Sequence, residues 1–326
     1  MIALPLRVSP ADLIEPGPRE TRLDLRGDTM GTTWAASVHV PGDVSAPDLR
    51  SAIDTALDQV IVQMSHWRPD SVLSAYNRAP AGHWVEAPPE FLHVLEAALD
   101  IARLSHGSFD PALGEAVDRW GFGPPGQRGQ PPPASPAPPH NWRHIRLDHA
   151  RGLVLQPGSL QLDFSSIAKG FAVDHAARAL EAIGASSYLL EIGGELRGRG
   201  VKPGGHPWWV AIEPPPGCPL RAKIALCGTA IATSGGYRKH FDHAGTRYAH
   251  TLNPRSRAPL VDPPESVSVV HQNCMLADAW STALMVAGVD QGLALCGQFQ
   301  LAALFVTRDA NGWRAVASPE FSAMLS

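Results

Sequence analysis

Apolar residues recur with two different spacings along this chain, and the spacing marks its elements. Strand-like alternation runs from Trp34 to Val40, after a turn at Met30-Gly31-Thr32. Helical spacing follows from Pro47 to Met64, with Leu49, Ile53, Ala56, Leu57, Val60 and Met64 on one face. Pro69 breaks that helix, and Ser71, Ser74 and Asn77 mark a polar turn. A second helix, from Pro89 to about Ser105, buries Phe91, Leu92, Val94, Leu95, Ala98 and Ile101. Asp110 before Pro111 has the pattern of a helix cap. Two short strands between His144 and Leu155 precede LDFSSIAKGFAVD, in which Leu162, Phe164 and Ile167 read as the end of a buried strand. A helix with Ala172, Val173, Ala176, Ala177 and Leu180 on one face follows it.

The second half reads mostly as strands. SSYLLEI ends in the double glycine Gly193-Gly194, and Trp208–Ile212 and Ala222–Leu226 follow. Thr233-Ser234-Gly235-Gly236 reads as a polar turn out of an apolar strand. SVSVVH is a strand, a helix starts near Leu276, and Leu301–Val306 and Trp313–Val316 close the chain. Helices and strands mix without a βαβ rhythm or an internal repeat, so the expected class is α+β with a mainly antiparallel sheet. Residues 1–26 are rich in proline and charge and read as a loose N-terminal arm, leaving 27–326 as a single domain. Residues 123–141 are low in complexity and proline-rich, the pattern of an exposed loop.

Bulk properties narrow the function classes. A chain of 326 residues, 44% hydrophobic and 18% charged, buries a substantial core. The net charge is -4 with no basic run, which argues against nucleic acid as the main partner. No apolar stretch is long enough to span a membrane. The N-terminus lacks the basic start and apolar length of a signal peptide, so the chain as given is expected to be cytoplasmic, or periplasmic if a leader was removed. Cys218, Cys227, Cys274 and Cys296 are too scattered for a metal motif and read as buried or incidental thiols.

Several constellations could carry chemistry, each with a plain structural alternative. A helix start after LDFSS, with Lys169 beside it, suits a phosphate, or it is an ordinary turn with a serine cap. Asp278 and Thr282 are one helical turn apart and supply the hard oxygens that magnesium takes, or they are a first-turn charge and a plain helix residue. His250 in a strand-end turn could accept a proton from a hydroxyl, or simply hold the turn. Met30 and Trp67 could cover an aromatic ring, or belong to the core.

Eight segments taken together, MGTTW, MSHWRPDSVLSAYN, GSFDPALGEAVDRWGFGP, LDFSSIAKGFAVD, EIGGE, ATSGGYRKHF, HTLNPRSRAP and ADAWSTALMVAG, resemble the ApbE-type flavin transferases in order and approximate spacing. The resemblance runs from Asp28 to about Gly288. It implies a T-fold-like core and an enzyme that takes FAD and magnesium. Such an enzyme joins FMN through a phosphoester to a Thr or Ser of an acceptor protein, in the family usually a subunit of a membrane redox complex, and releases AMP. Carried over by motif, Met30, Trp67, Ser108, Phe109, Asp110, Asp163, Lys169 and Leu252 look like FAD contacts. Magnesium would sit among Asp278, Thr282 and the Ser166 carbonyl. The position of Ser281, often a second carboxylate in relatives, borders that set, and His250 looks like the base. Two departures stand out: Ser281 removes one charge from the metal site, and Asn253 replaces an acidic residue common in the His250 turn. Metal-dependent hydrolysis of FAD to FMN and AMP, or FAD binding without catalysis, remain as alternatives at the sequence level.

Overall fold

The computed structural model describes residues 1–126, 129–133 and 141–325. The proline-rich loop expected at 123–141 therefore lies in part outside the described residues.

Eight strands form the main sheet: β1 (Glu20–Thr29), β2 (Thr32–Pro41), β3 (Ser187–Ile192), β4 (Glu195–Arg199), β5 (Thr229–Gly235), β6 (Ser266–His271), β7 (Ala302–Asp309) and β8 (Gly312–Ala317). Neighbours in this sheet are neighbours in the chain, and every pair is antiparallel. Among the described residues, five α-helices are inserted between β2 and β3: α1 (Ala46–Met64), α2 (Val72–Arg78), α3 (Pro89–Leu104), α4 (Gly114–Arg119) and α5 (Ala168–Ala182). Between β6 and β7 comes α6 (Cys274–Phe299), and α7 (Pro319–Ala323) ends the described chain. The α+β class with a mainly antiparallel sheet is thus what the chain adopts.

Strand residues alternate between two cores because successive side chains point to opposite faces. Ala230, Ala232, Val267, Val269, Ala303 and Phe305 join the larger core under α1, α3, α5 and α6. Ile231, Val270 and Leu304 face the other way, onto Trp208, Val210, Ile224, Leu226 and Phe321. A hairpin of Trp208–Ile212 and Ala222–Leu226 builds that second layer.

Four local expectations are corrected. The segment read as a loose arm contributes Ile2–Ala3, paired with Lys223–Ile224, and the ten-residue edge strand β1. An edge strand keeps one side in water and tolerates charge, so its alternation is weak. Ser71 is the N-cap of α2, its hydroxyl accepting the Ser74 N–H at 3.0 Å, so the polar run starts a helix. Asp110 caps a turn, accepting the Ala112 N–H at 2.8 Å, and α4 begins only after Leu113. Residues 160–167 are buried at Leu160, Leu162, Phe164 and Ile167 but pair with no strand. Asn77 anchors them instead, its amide bonding the Leu162 O and N at 2.9 and 2.7 Å.

Gly170 on α5 fixes how closely α5 approaches α6. A Cβ there would stand 2.4 Å from the Cys274 carbonyl oxygen and 2.8 Å from Asp278 Cβ. Gly170→Ala is expected to cost about 1–3 kcal/mol by overpacking. Gly297, also helical but with nothing within 4 Å of its Cβ position, should gain about 0.5–1 kcal/mol when changed to Ala. Urea unfolding of the two variants checks the pair, and equal stability changes would contradict the packing argument.

Candidate active site

A cavity of about 1060 Å³ opens over one end of the sheet, where α5 and α6 start. Its lining takes in Met30, Trp67, Ser108, Phe109, Asp110, Asp163, Ser166, Lys169, His250, Leu252, Asp278 and Thr282. Every candidate site residue except Ser281 therefore meets in one place, although they span more than 250 positions.

Hairpin geometry delivers the first of them. Thr29 pairs with Thr32, leaving Met30 (φ 49°) and Gly31 (φ 70°) as a two-residue turn with both φ positive. A methionine there is strained, and its side chain lines the cavity. The β3–β4 turn repeats the device with Gly193 (φ 62°) and Gly194 (φ 104°). A Cβ on Gly193 would stand 2.8 Å from Thr32, so the two turns pack against each other at the cavity rim.

The helix starts supply the charges. Lys169, in the first turn of α5, pairs with Glu195 at the beginning of β4. Burial alone would depress the Lys169 ammonium, but Glu195 and Asp278 outweigh it and raise its pKa above the usual value. Glu195 itself is pushed up to about 7 by burial, with Lys169 opposing. Its Oε2 is buried without a hydrogen-bond partner among the described residues. Glu195 lies in the EIGGE segment, where a glutamate flanking a double glycine at a strand start is the one local signal for it. Asp278 accepts the Gly170 N–H at 2.9 Å, and burial raises its pKa.

These groups fit a divalent cation in chemistry. Two buried carboxylates, Asp278 and Glu195, face a single ammonium, with one carboxylate oxygen unpartnered. Hard oxygens from Asp278, Thr282 and the Ser166 carbonyl match magnesium, which keeps waters and takes phosphate oxygens. Among the described residues no three His, Cys, Asp or Glu side chains gather as a metal group. Ser281 lies apart: it is fully buried, donates to the Asp278 carbonyl at 2.8 Å and sits 2.7 Å from the Ser234 hydroxyl. A serine at this point of a helix satisfies its hydroxyl on the preceding turn, which turns it from the cavity. Ser234 also bonds Thr282 at 2.9 Å. Ser234 belongs to β5, which runs on through Thr233–Gly235 opposite Ser266–Ser268, so the polar turn expected there is strand. Hydroxyls facing a polar cavity, not a break in pairing, explain its composition.

His250 is held by the Lys239 carbonyl, 3.2 Å from Nδ1, with its own N–H on the same oxygen at 3.0 Å. That contact assigns the proton to Nδ1 and leaves the lone pair on Nε2. Burial pushes the imidazole down to about 4, and Lys239 and Lys169 add to the shift. Phe122 stands edge-on to the ring at 6.3 Å. Asn253 spends its side-chain Oδ1 on the N–H groups of Arg255 (2.9 Å) and Ser256 (3.4 Å), shaping the turn after His250. Leu252 is buried against Leu113, Trp120 and Phe241.

On the flank formed by the end of α1, Asp163 accepts the Ser165 N–H and hydroxyl, both at 2.8 Å, and faces His66 Nδ1 at 3.3 Å. Phe109 is buried, with its N–H on the Ser105 hydroxyl at 3.0 Å. Burial raises the Asp110 carboxyl to about 6. Trp67 is 58% exposed at the rim, a large apolar ring left for a ligand to cover.

The ApbE family model matches residues 30–305. The FAD:protein FMN transferase of Vibrio cholerae is 33% identical over 315 residues, covering 94% of this chain and 93% of that protein. Its Haemophilus influenzae counterpart is 34% identical over 317 residues, covering 93% and 92%. The apo crystal structure of Pseudomonas stutzeri flavinyl transferase ApbE superposes with a TM-score of 0.85 at 34% identity, over 94% of this chain and 97% of that one. The Vibrio cholerae flavin transferase ApbE gives 0.83 at 32% identity, over 94% and 100%. With the family model spanning the strands and helices that build the cavity, the chain belongs to the ApbE family.

Proposed function

We propose that this protein is an FAD:protein FMN transferase, which moves FMN from FAD to a Thr or Ser hydroxyl of an acceptor protein and releases AMP. The observation that carries the reading is the convergence of Lys169, Asp278, Thr282 and His250 on one cavity large enough for a dinucleotide. Family membership supports FAD as the substrate.

The residues divide the work. Met30, Trp67, Ser108, Phe109, Asp110, Asp163 and Leu252 hold the flavin and nucleotide ends. Lys169, positively charged, turns from Glu195 toward the pyrophosphate and offsets charge that grows on the leaving oxygen. Asp278, Thr282 and the Ser166 carbonyl would hold magnesium, which supplies Lewis-acid polarisation of a phosphoryl oxygen. His250 Nε2 takes the proton of the acceptor hydroxyl as its oxygen bonds to the FMN phosphorus. The bond from that phosphorus to the bridging oxygen breaks, and AMP departs with the electron pair.

The acceptor in this reading is a protein with a Thr- or Ser-containing flavinylation motif, such as a redox-complex subunit. Incubation with FAD, magnesium and an acceptor bearing such a motif tests it. An acceptor mass increase of one FMN, with AMP released, is the expected result. FMN and AMP without labelled acceptor would replace transfer by hydrolysis, and unchanged FAD would replace it by binding alone.

A further inference from the structure

We propose that His66 is a positioning residue for FAD: its Nδ1–H clamps the Asp163 carboxylate as an anion with one oxygen turned to the cavity. The proposal rests on the reading of Asp163 as a nucleotide contact.

The geometry is specific about which oxygen is free. Asp163 Oδ1 already receives the Ser165 N–H at 2.8 Å and stands 3.3 Å from His66 Nδ1 as an ion-pair contact. Among the described residues Oδ2 receives only the Ser165 hydroxyl at 2.8 Å, which leaves it the capacity to accept one more donor, such as a ribose hydroxyl or an amino group of a base. The side chains are 16% and 9% exposed, so water supports the carboxylate poorly. His66 sits one residue beyond the C-cap of α1, tilted on Trp67 at 5.4 Å. It lines both the main cavity and a smaller one of about 160 Å³ behind it, which also takes in Asn77 and Asp118. Its Nε2 is buried with no hydrogen-bond partner among the described residues.

Charges around this pair favour its ionic form. His66 is acted on by Asp163 and Asp118, which hold the imidazolium, and by Lys239, which opposes it. Asp118 in turn feels His66, Asp163 and Glu115. Burial would lower the His66 pKa, yet the Asp163 contact raises it above 6.5. Burial would likewise raise Asp163, and His66 is the leading influence that keeps it below 3.8. A neutral side chain in place of His66 lets burial win at Asp163. A protonated carboxyl there gains an O–H donor and loses acceptor capacity and charge.

FAD binding measured by flavin fluorescence, in EDTA so that no turnover occurs, separates the possibilities. Wild type should bind with little change in affinity across the neutral range. His66→Gln should weaken as pH falls, by up to about tenfold per pH unit once Asp163 begins to protonate. His66→Lys, which keeps a cation, should restore the flat profile. Asp163→Asn should bind weakly and without pH dependence. If Asp163→Asn binds like wild type, the assignment of Asp163 as a nucleotide contact falls. If Asp163→Asn is weakened but His66→Gln keeps the wild-type profile, the positioning role alone falls. Imidazole NMR titration provides a check that needs no His66 variant. The His66 midpoint should lie above 6.5 in wild type and fall in Asp163→Asn, where Asp118 alone still opposes burial, and a wild-type midpoint below 6.5 overturns the clamp.

Discussion

Asp278→Asn is expected to abolish metal-dependent turnover while leaving the protein folded. The carboxylate is buried at the start of α6 and accepts the Gly170 N–H at 2.9 Å, and an amide oxygen can keep that bond. What asparagine removes is the charge. Polarisation of a phosphoryl oxygen by a bound cation contributes several kcal/mol. At about 1.4 kcal/mol per factor of ten, kcat should fall by roughly 10³ or more. Alanine would add a structural penalty, an unsatisfied buried N–H costing about 1–3 kcal/mol, so asparagine is the cleaner variant. Because Asp278 is destabilised by burial, losing its charge should leave thermal stability equal or higher without magnesium. Magnesium should raise the melting temperature of wild type and not of the variant. Full activity in Asp278→Asn would sink the metal site at this position.

The parts of this site that sequence reading reached are those whose chemistry is written in residue type. Asp278 and Thr282 share a helix face, and Lys169 sits at a helix start; both facts follow from a periodicity of 3.6. Glu195 was harder to see because its role exists only in three dimensions. It comes to Lys169 across the β3–β4 hairpin, 26 positions away, and nothing local marks a glutamate as buried. Arg238 is similar: it bonds the Gly193 carbonyl at 3.2 Å and pairs with Glu213, joining three segments at the rim. His66 adjoins Trp67 in sequence, but its approach to Asp163, 97 positions away, exists only in three dimensions.

The fold shows the same division. Helices α1 and α3 and the hairpin at 208–226 were legible to within a residue or two because each buries a regular apolar face. The approach to α5 misled for a physical reason. Leu162, Phe164 and Ile167 are fully buried, as in a strand, but their backbone polar groups are met by Asn77 and by local turns rather than by a neighbouring strand. Burial pattern alone does not say where backbone hydrogen bonds go. Edge strand β1 fails in the opposite sense, with all ten residues in register with β2 along one side while its side chains carry charge.

His250→Ala should keep FAD affinity within about twofold yet lower transfer by about 10²–10⁴, the range of a lost general base. The argument rests on protonation state. With the imidazole pushed down to about 4, His250 is neutral throughout the range in which such an enzyme would be assayed. Its Nδ1 proton is committed to the Lys239 carbonyl, so Nε2 offers a lone pair. A group of this kind loses function as pH falls through 4, where it becomes a cation that can no longer accept a proton. The acid limb of kcat/KM for the acceptor that belongs to His250 should therefore appear near 4, and vanish in His250→Ala. A low pKa makes a weak base, which is compensated only if the hydroxyl loses its proton late, as its oxygen bonds to phosphorus. Phe122→Ala offers a graded test of that cost. Opening the edge of the ring to water should let the His250 pKa rise and carry the acid limb upward with it. An acid limb that stays fixed in both variants would show that another group receives the proton.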